Sequence, residues 1–288
     1  MTQNPSGFRW GGTLVRKRRQ GRNDLFVANA PSEVEHVMVA DSVIRIPASA
    51  FSVYQQLRSV DVPAATIADY AFSSCSRLES IDIPGSGATI GNHALSGCVI
   101  LQSVAIPAST IRNSVFSECI SFQLIHEINI RASVVSVGNE VFFECSRLQS
   151  IVLPASVTTI GNCAFSWCSS LQSIVLPASL TTIGNYAFSD CGSLHSIFIP
   201  ASVTTIGHRA FSRCSSLRSI VIPSSVTSIG YCAFSECSML QSIVIPSSVT
   251  TIGYCVFAGC SSLQPIAILT SVSTVRARGC MSLQYLRI

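Results

Sequence analysis

The sequence predicts a β-dominated solenoid of about twelve parallel-stacked coils of roughly 23 residues, preceded by a basic tail. Three observations predict it. First, one unit is written repeatedly: "PASVTTIGNCAFSWCSSLQSIVL" (154–176) is followed by "PASLTTIGNYAFSDCGSLHSIFI" (177–199) and "PASVTTIGHRAFSRCSSLRSIVI" (200–222). Second, prolines, phenylalanines and cysteines keep that period independently, as at Pro154, Pro177 and Pro200, Phe165, Phe188 and Phe211, or Cys168, Cys191 and Cys214. Third, a 23-residue unit has no room for a long helix. Such a unit buries its apolar side only by stacking on its neighbours.

The first element is the tail, residues 1–33. Arg9, Arg16, Lys17, Arg18, Arg19 and Arg22 face a lone Asp24 in the first 30 residues, a local charge of +5. The remaining 12 basic and 13 acidic residues give −1, so the net +4 belongs to the tail. The tail has no apolar core of a secretory signal. No apolar run approaches the ~18–20 residues of a membrane span. The whole chain is 48% hydrophobic and 11% charged, too apolar for disorder.

The coils occupy 34–288. Weak copies open the array, with "VMVADSVIRIPASAF" (38–51) carrying Ala40 in the Pro position and Tyr54 standing where Cys75 stands one coil later. The units after Pro63 and Pro107 are two residues short, and Cys119–Arg131 carries three extra residues. Within each coil "LQSIVIP" alternates inward and outward residues and ends at Pro, the signature of a short strand. The paired inward positions run from Val37/Val39 to Leu286/Ile288, twelve strands in all. A second extended piece, "SVTTIG", follows, and glycines such as Gly161, Gly184 and Gly207 are expected to turn the chain.

The pattern L-x-x-I-x-I-P followed by S-V-x-x-I-G-x-x-A-F-x-x-C resembles the BspA-type leucine-rich repeat over residues 34–288. The resemblance implies a curved solenoid with a concave parallel sheet, and protein binding or, in surface members, adhesion. It supplies no catalytic residue.

Thirteen cysteines need an account. Most fall in one repeat column with Leu171, Leu194 and Leu217 in another, as stacked core positions should. The reading adopted is a stack of small buried thiols in a reducing compartment. Disulfides are the alternative; close C-x-x-C pairs for zinc are absent. None of the five histidines belongs to H-E-x-x-H, and no G-x-S-x-G or phosphate-binding Gly-rich motif occurs. The expectation is therefore no enzyme, no cofactor, no metal and no small-molecule substrate.

The variable letters carry the functional expectation. Outward strand residues read Val152, Val175, Phe198, Val221 and Val244 through the centre of the array. Gln172, His195, Arg218 and Gln241 flank them. Together they are the expected partner-binding surface for another protein. Strand stabilisation by β-branched residues is the competing explanation. Trp167, Asp190, Arg213 and Glu236 form a variable turn column. Two alternatives stand beside an intracellular interaction module, cytoplasmic or nuclear. One is a cell-surface adhesion module. The other is a nuclear protein acting through Arg16, Lys17, Arg18, Arg19 and Arg22, which would also be the route to nucleic acid or an acidic surface. Ending on "LQYLRI" would leave a strand edge open, for which the two expectations are self-association through the C-terminal end of the solenoid or a truncated gene model.

Overall fold

Alternating inward and outward residues, closed by proline, give each coil one three-residue strand. The computed structural model describes residues 34–39, 43–62, 66–83, 89–106, 110–122, 128–130, 132–264 and 274–275. The tail lies outside them. Long strands run at His36–Met38, Ser59–Asp61, Ser80–Asp82, Ser103–Ile106, Ile128–Ile130, Ser150–Val152, Ser173–Val175, Ser196–Phe198, Ser219–Val221 and Ser242–Val244. Short strands of two residues follow them in the "TI" of each coil, for example Thr159–Ile160, Thr182–Ile183 and Thr205–Ile206. All pairing is parallel, and in the regular region each residue meets its equivalent one coil on, as in Ser150↔Ser173 and Thr159↔Thr182. Inward strand residues such as Ile151, Leu153, Ile197 and Ile199 are buried, as their alternation predicts.

The stack is shorter in regular turns than the period count implies. About eight turns share a continuous short-strand ladder, from Thr110–Ile111 to Thr274–Val275. Coil-length changes explain the difference. At the N-terminal end Arg45 pairs with Thr66, only 21 residues on, and Arg45–Ile46 and Thr66–Ile67 form a ladder of their own. Both ladders pass the three-residue insertion before Arg131, Val104 pairing with Ile128 and Thr110 with Ser136. The long-strand ladder ends only beyond it, at Ile128–Ile130. A further gap between Ser173–Val175 and Ser196–Phe198 has no counterpart in coil length. The strands expected at 266–268 and 286–288 lie outside the described residues.

A third ladder closes each coil. In the turn, the N–H groups of Cys163, Phe165 and Trp167 donate to the carbonyls of Asn185, Ala187 and Ser189 of the next coil. Three ladders per coil answer where the backbone polar groups of a unit without helices go. In the central coils the turn is made by left-handed residues that are not glycine, although Gly97 and Gly259 take the same place in two others. Cys163 and Trp167 have φ of 54° and 63°, Tyr186 and Asp190 57° and 61°, and Arg209 and Arg213 52° and 58°.

The repeated glycines therefore have a different task from the turning role expected of them. A Cβ at Gly207 would sit 2.5 Å from the Gly184 carbonyl oxygen, and one at Gly184 2.6 Å from the carbonyl carbon of Gly161. They permit backbone-to-backbone approach between coils. Beside them runs a side-chain ladder. The Oδ1 atoms of Asn113, Asn139, Asn162 and Asn185 accept from the backbone N–H of the equivalent residue one coil on, at 2.8–2.9 Å.

Phenylalanine fills the side opposite the long strands. Phe142, Phe165, Phe188, Phe211 and Phe234 are fully buried and stacked nearly parallel. Their centroids are 5.1–5.5 Å apart. A strand ladder advances only ~4.8 Å per step. The stack consequently fans open on the phenylalanine side, and the long strands line the inner, concave side. Next to each ring a cysteine thiol donates back to a phenylalanine carbonyl: Cys168 to Phe142, Cys191 to Phe165, Cys214 to Phe188 and Cys237 to Phe211, at 3.0–3.1 Å. Burial pushes these thiols well above their ordinary pKa, and Cys75 up to about 12.

This core generates three predictions. Phe211→Ala removes a ring stacked on both sides and should cost about 3–5 kcal/mol in chemical denaturation; an unchanged midpoint would place Phe211 outside the core. Native Cys168, Cys191, Cys214 and Cys237 should resist alkylation, while the part-exposed Cys163 and Cys255 react first. The same burial sets a pH dependence. Above about 9 the unfolded chain releases thiol protons that native Cys75 holds up to about 12. The unfolded state then binds fewer protons, so stability falls as pH rises through that window. A urea midpoint that is flat from neutral pH to 12 would contradict it.

Candidate functional site

The site is built from the outward residue of each long strand. Side chains alternate across a strand, so the residue between two buried ones must face solvent. Val152, Val175, Phe198, Val221 and Val244 are all exposed, from 45% at Val152 to 73% at Phe198. Val152 sits beside Val175 in register, and Phe198 beside Val221, which in turn sits beside Val244. Met38, Asp61 and Asp82 continue the same position toward the N-terminus, also exposed. The face is therefore apolar at its centre and acidic or mixed at its N-terminal end.

The flanking column is exposed as well. Gln172, His195, Arg218 and Gln241 precede the strand serines, and their backbones are tied coil to coil. Gln172 N–H donates to the Gln149 carbonyl, Arg218 N–H to His195, and Gln241 N–H to Arg218. Their side-chain amides, imidazole and guanidinium line one margin of the apolar strip. Chemically the face offers burial of aliphatic and aromatic surface with a polar border.

The turn column sits elsewhere, on the left-handed residues of the third ladder. Arg213 Nη1 lies 3.5 Å from Asp190 Oδ1, a charge pair between adjacent coils. Trp167 is half-exposed beside them. The paired cysteines of one coil fall in different columns: Cys168, Cys237 and Cys260 are buried in the core, while Cys163, Cys232 and Cys255 belong to the turn column, where Cys163 and Cys255 are part-exposed and Cys232 is buried. Among the described residues no three of His, Cys, Asp and Glu converge as a metal site, and no helix is long and apolar enough to cross a membrane. The basic residues Arg16, Lys17, Arg18, Arg19 and Arg22 lie outside the described residues, as does the C-terminal end of the solenoid.

Reading the variable letters by their place on the strand missed one position. The residue after each repeated glycine is Asn139, Asn162 and Asn185, then His208, Tyr231 and Tyr254. The change from asparagine to aromatic in one column is the signal that identifies it. His208 Nδ1 accepts from Tyr231 N–H at 2.9 Å, as the asparagine oxygens do, which places the imidazole proton on Nε2. Arg209 lies between Tyr186 and Tyr231, 5.6 and 5.2 Å from the ring centroids, and donates from Nη2 to the Tyr231 hydroxyl.

Parallel short strands, 23-residue coils and a leucine-isoleucine core define a leucine-rich-repeat solenoid. The family described as "BspA type Leucine rich repeat region" matches in six copies, over residues 28–147, 109–240 and 181–287. The chain belongs to that family. No curated protein matches it in sequence. Among solved structures it is similar to a leucine rich cell surface protein of Faecalibacterium prausnitzii, with 24% identity, TM-score 0.47, and 84% of this chain and 80% of that chain covered. It is also similar to leucine-rich repeat proteins of Eubacterium ventriosum (19% identity, TM-score 0.49, 90% and 78% covered) and Bacteroides ovatus (23%, 0.41, 81% and 86%).

Proposed function

We propose that the chain is a non-enzymatic protein-interaction module that binds its partner on the long-strand face. The observation that supports this is the strip Val152, Val175, Phe198, Val221 and Val244, the outward strand residue of consecutive coils and exposed in each. Scattered surface hydrophobics are ordinary, but a contiguous strip bordered by polar residues marks an interaction surface. Phe198 is the natural anchor, because aromatic residues near the centre of a contact carry most of its energy. Gln172, His195, Arg218 and Gln241 supply hydrogen bonds at the rim. The partner is a protein presenting a complementary apolar surface. Buried, high-pKa thiols suit a reducing compartment, so the cytosol or nucleus is the proposed location, and the basic tail is the proposed contact with an acidic surface.

The test is Phe198→Asp. A carboxylate there would lose its water against an apolar partner without a counter-ion, a penalty of several kcal/mol. Partner capture should be lost while the thermal midpoint stays near native, since an outward strand residue contributes little beyond propensity. Asp190→Ala on the turn column should leave capture intact. Undiminished capture by a folded Phe198→Asp variant would show the strip to be a strand-stabilising ladder only.

A further inference from the structure

The aromatic column after the repeated glycines borders a groove on a different face from the long strands. The groove, about 510 Å³, runs along the solenoid axis over three coils. That volume lies within the roughly 300–1,000 Å³ typical of ligand sites. Its floor is bare backbone at Gly207, Gly230 and Gly253, where a Cβ would collide with the preceding coil. One wall carries His208, Tyr231 and Tyr254, one ring per coil. The opposite wall carries the hydroxyls of Thr205, Ser228 and Thr251, in register on adjacent short strands.

We propose that this groove binds a neutral, extended oligosaccharide of β-1,4-linked pyranose rings. Four features select that chemistry. No carboxylate, ammonium or guanidinium is among its lining residues, and the Arg209 guanidinium behind the wall is engaged by the Tyr231 hydroxyl. The hydroxyls of Thr205, Ser228 and Thr251 make no hydrogen bond among the described residues. Those of the neighbouring column, Thr181, Thr227 and Thr250, are donated to the preceding coil. One wall thus presents a row of groups that both donate and accept, the complement of sugar hydroxyls. The other presents rings half-exposed at Tyr231 and Tyr254, against which the C–H face of a pyranose packs.

The third feature is the floor. Its N–H groups are already used, Gly230 donating to Ile206 and Gly253 to Ile229 at 2.9 Å. An extended peptide would find no donors there for its own carbonyls, which disfavours strand addition. The fourth is the repeat. The walls recur on the three coils of the groove, ~4.8 Å apart. An extended β-1,4-linked chain advances by close to one such step per ring with alternate rings turned over, so each coil meets one sugar and every second coil meets the same sugar edge. Arg209 is a positioning residue: its bond to the Tyr231 hydroxyl and its place against the Tyr186 and Tyr231 rings fix the central aromatic.

The experiment is titration calorimetry of the full chain with cellohexaose and chitohexaose, with α-linked maltohexaose as control. Saturable binding of at least one β-linked hexaose, and none of maltohexaose, is expected. Tyr231→Ala and Tyr254→Ala should each weaken it about tenfold or more at an unchanged thermal midpoint. Saturation-transfer NMR on the unaltered protein, irradiating the tyrosine rings, should label the pyranose protons, so that the contact is read even if a variant fails to fold. Phe198→Asp should leave binding intact, which separates this site from the long-strand face. Absence of binding to both β-linked probes would overturn the proposal. So would binding indifferent to the tyrosines, or a groove that takes a proline-rich peptide and neither sugar.

Discussion

Every feature of this solenoid depends on one constraint: the backbone of each coil finds its partners in the coils before and after it. A 23-residue loop without a helix cannot satisfy its own amides, and buried unpaired amides are costly. The three ladders, long strand, short strand and turn, solve this only if equivalent residues stay in register. Once register is kept, like must stack on like. The identity of a residue is then judged against its own copies. Leucine packs on leucine, and a phenylalanine ring lies between two others, 5.3 Å from Phe165 and 5.4 Å from Phe211 in the case of Phe188. A glycine column lets two backbones approach where any Cβ would collide.

The cysteine column follows from the same constraint. The phenylalanine carbonyls that accept the thiols sit in the interior, beyond water. A valine of similar bulk would fill the space and leave each carbonyl without that bond. A serine would reach the carbonyl but bring a more strongly hydrated group into the core. The thiol is small, tolerates burial and is a weak donor, which matches a carbonyl that needs only a weak partner. The cost is that ionisation becomes very unfavourable, so the column is chemically quiet at neutral pH. The asparagine column beside the glycines works in the opposite setting. It is largely exposed, and its amide oxygen serves a backbone N–H of the neighbouring coil.

Much of this was legible in the letters. The inward and outward alternation around Ile197, Phe198 and Ile199 gave the core and the exposed strip together, because a period of two admits one register. The phenylalanine and cysteine columns were legible because stacking makes repetition equivalent to burial. The turn was not. Cys163, Tyr186 and Arg209 all adopt left-handed φ, yet none is a residue type that favours it, and glycine, which does, stands two positions earlier for another reason. Tertiary pairing imposes the conformation on whatever residue is there. The number of regular turns was also overcounted. Repeat letters persist through coils that are two residues short or three long, and the long-strand ladder crosses both, but the short-strand ladder is interrupted among the short N-terminal coils.

The two faces with functional promise show how such a scaffold can vary without coming apart. On the long strands the outward residue bears no structural bond, so valine, phenylalanine or aspartate can occupy it freely. The column after the glycines is different, because its asparagines carry hydrogen bonds. His208 preserves that bond through Nδ1 while placing a ring outward, and Tyr231 follows one coil later. An aromatic wall is thus introduced at the step where a nitrogen can replace an amide oxygen as acceptor. The groove lies between those rings and the short-strand hydroxyls, over a backbone that the glycines let pack closely against the preceding coil. Binding chemistry on this fold is therefore confined to columns whose backbone role is either absent or transferable to another side chain.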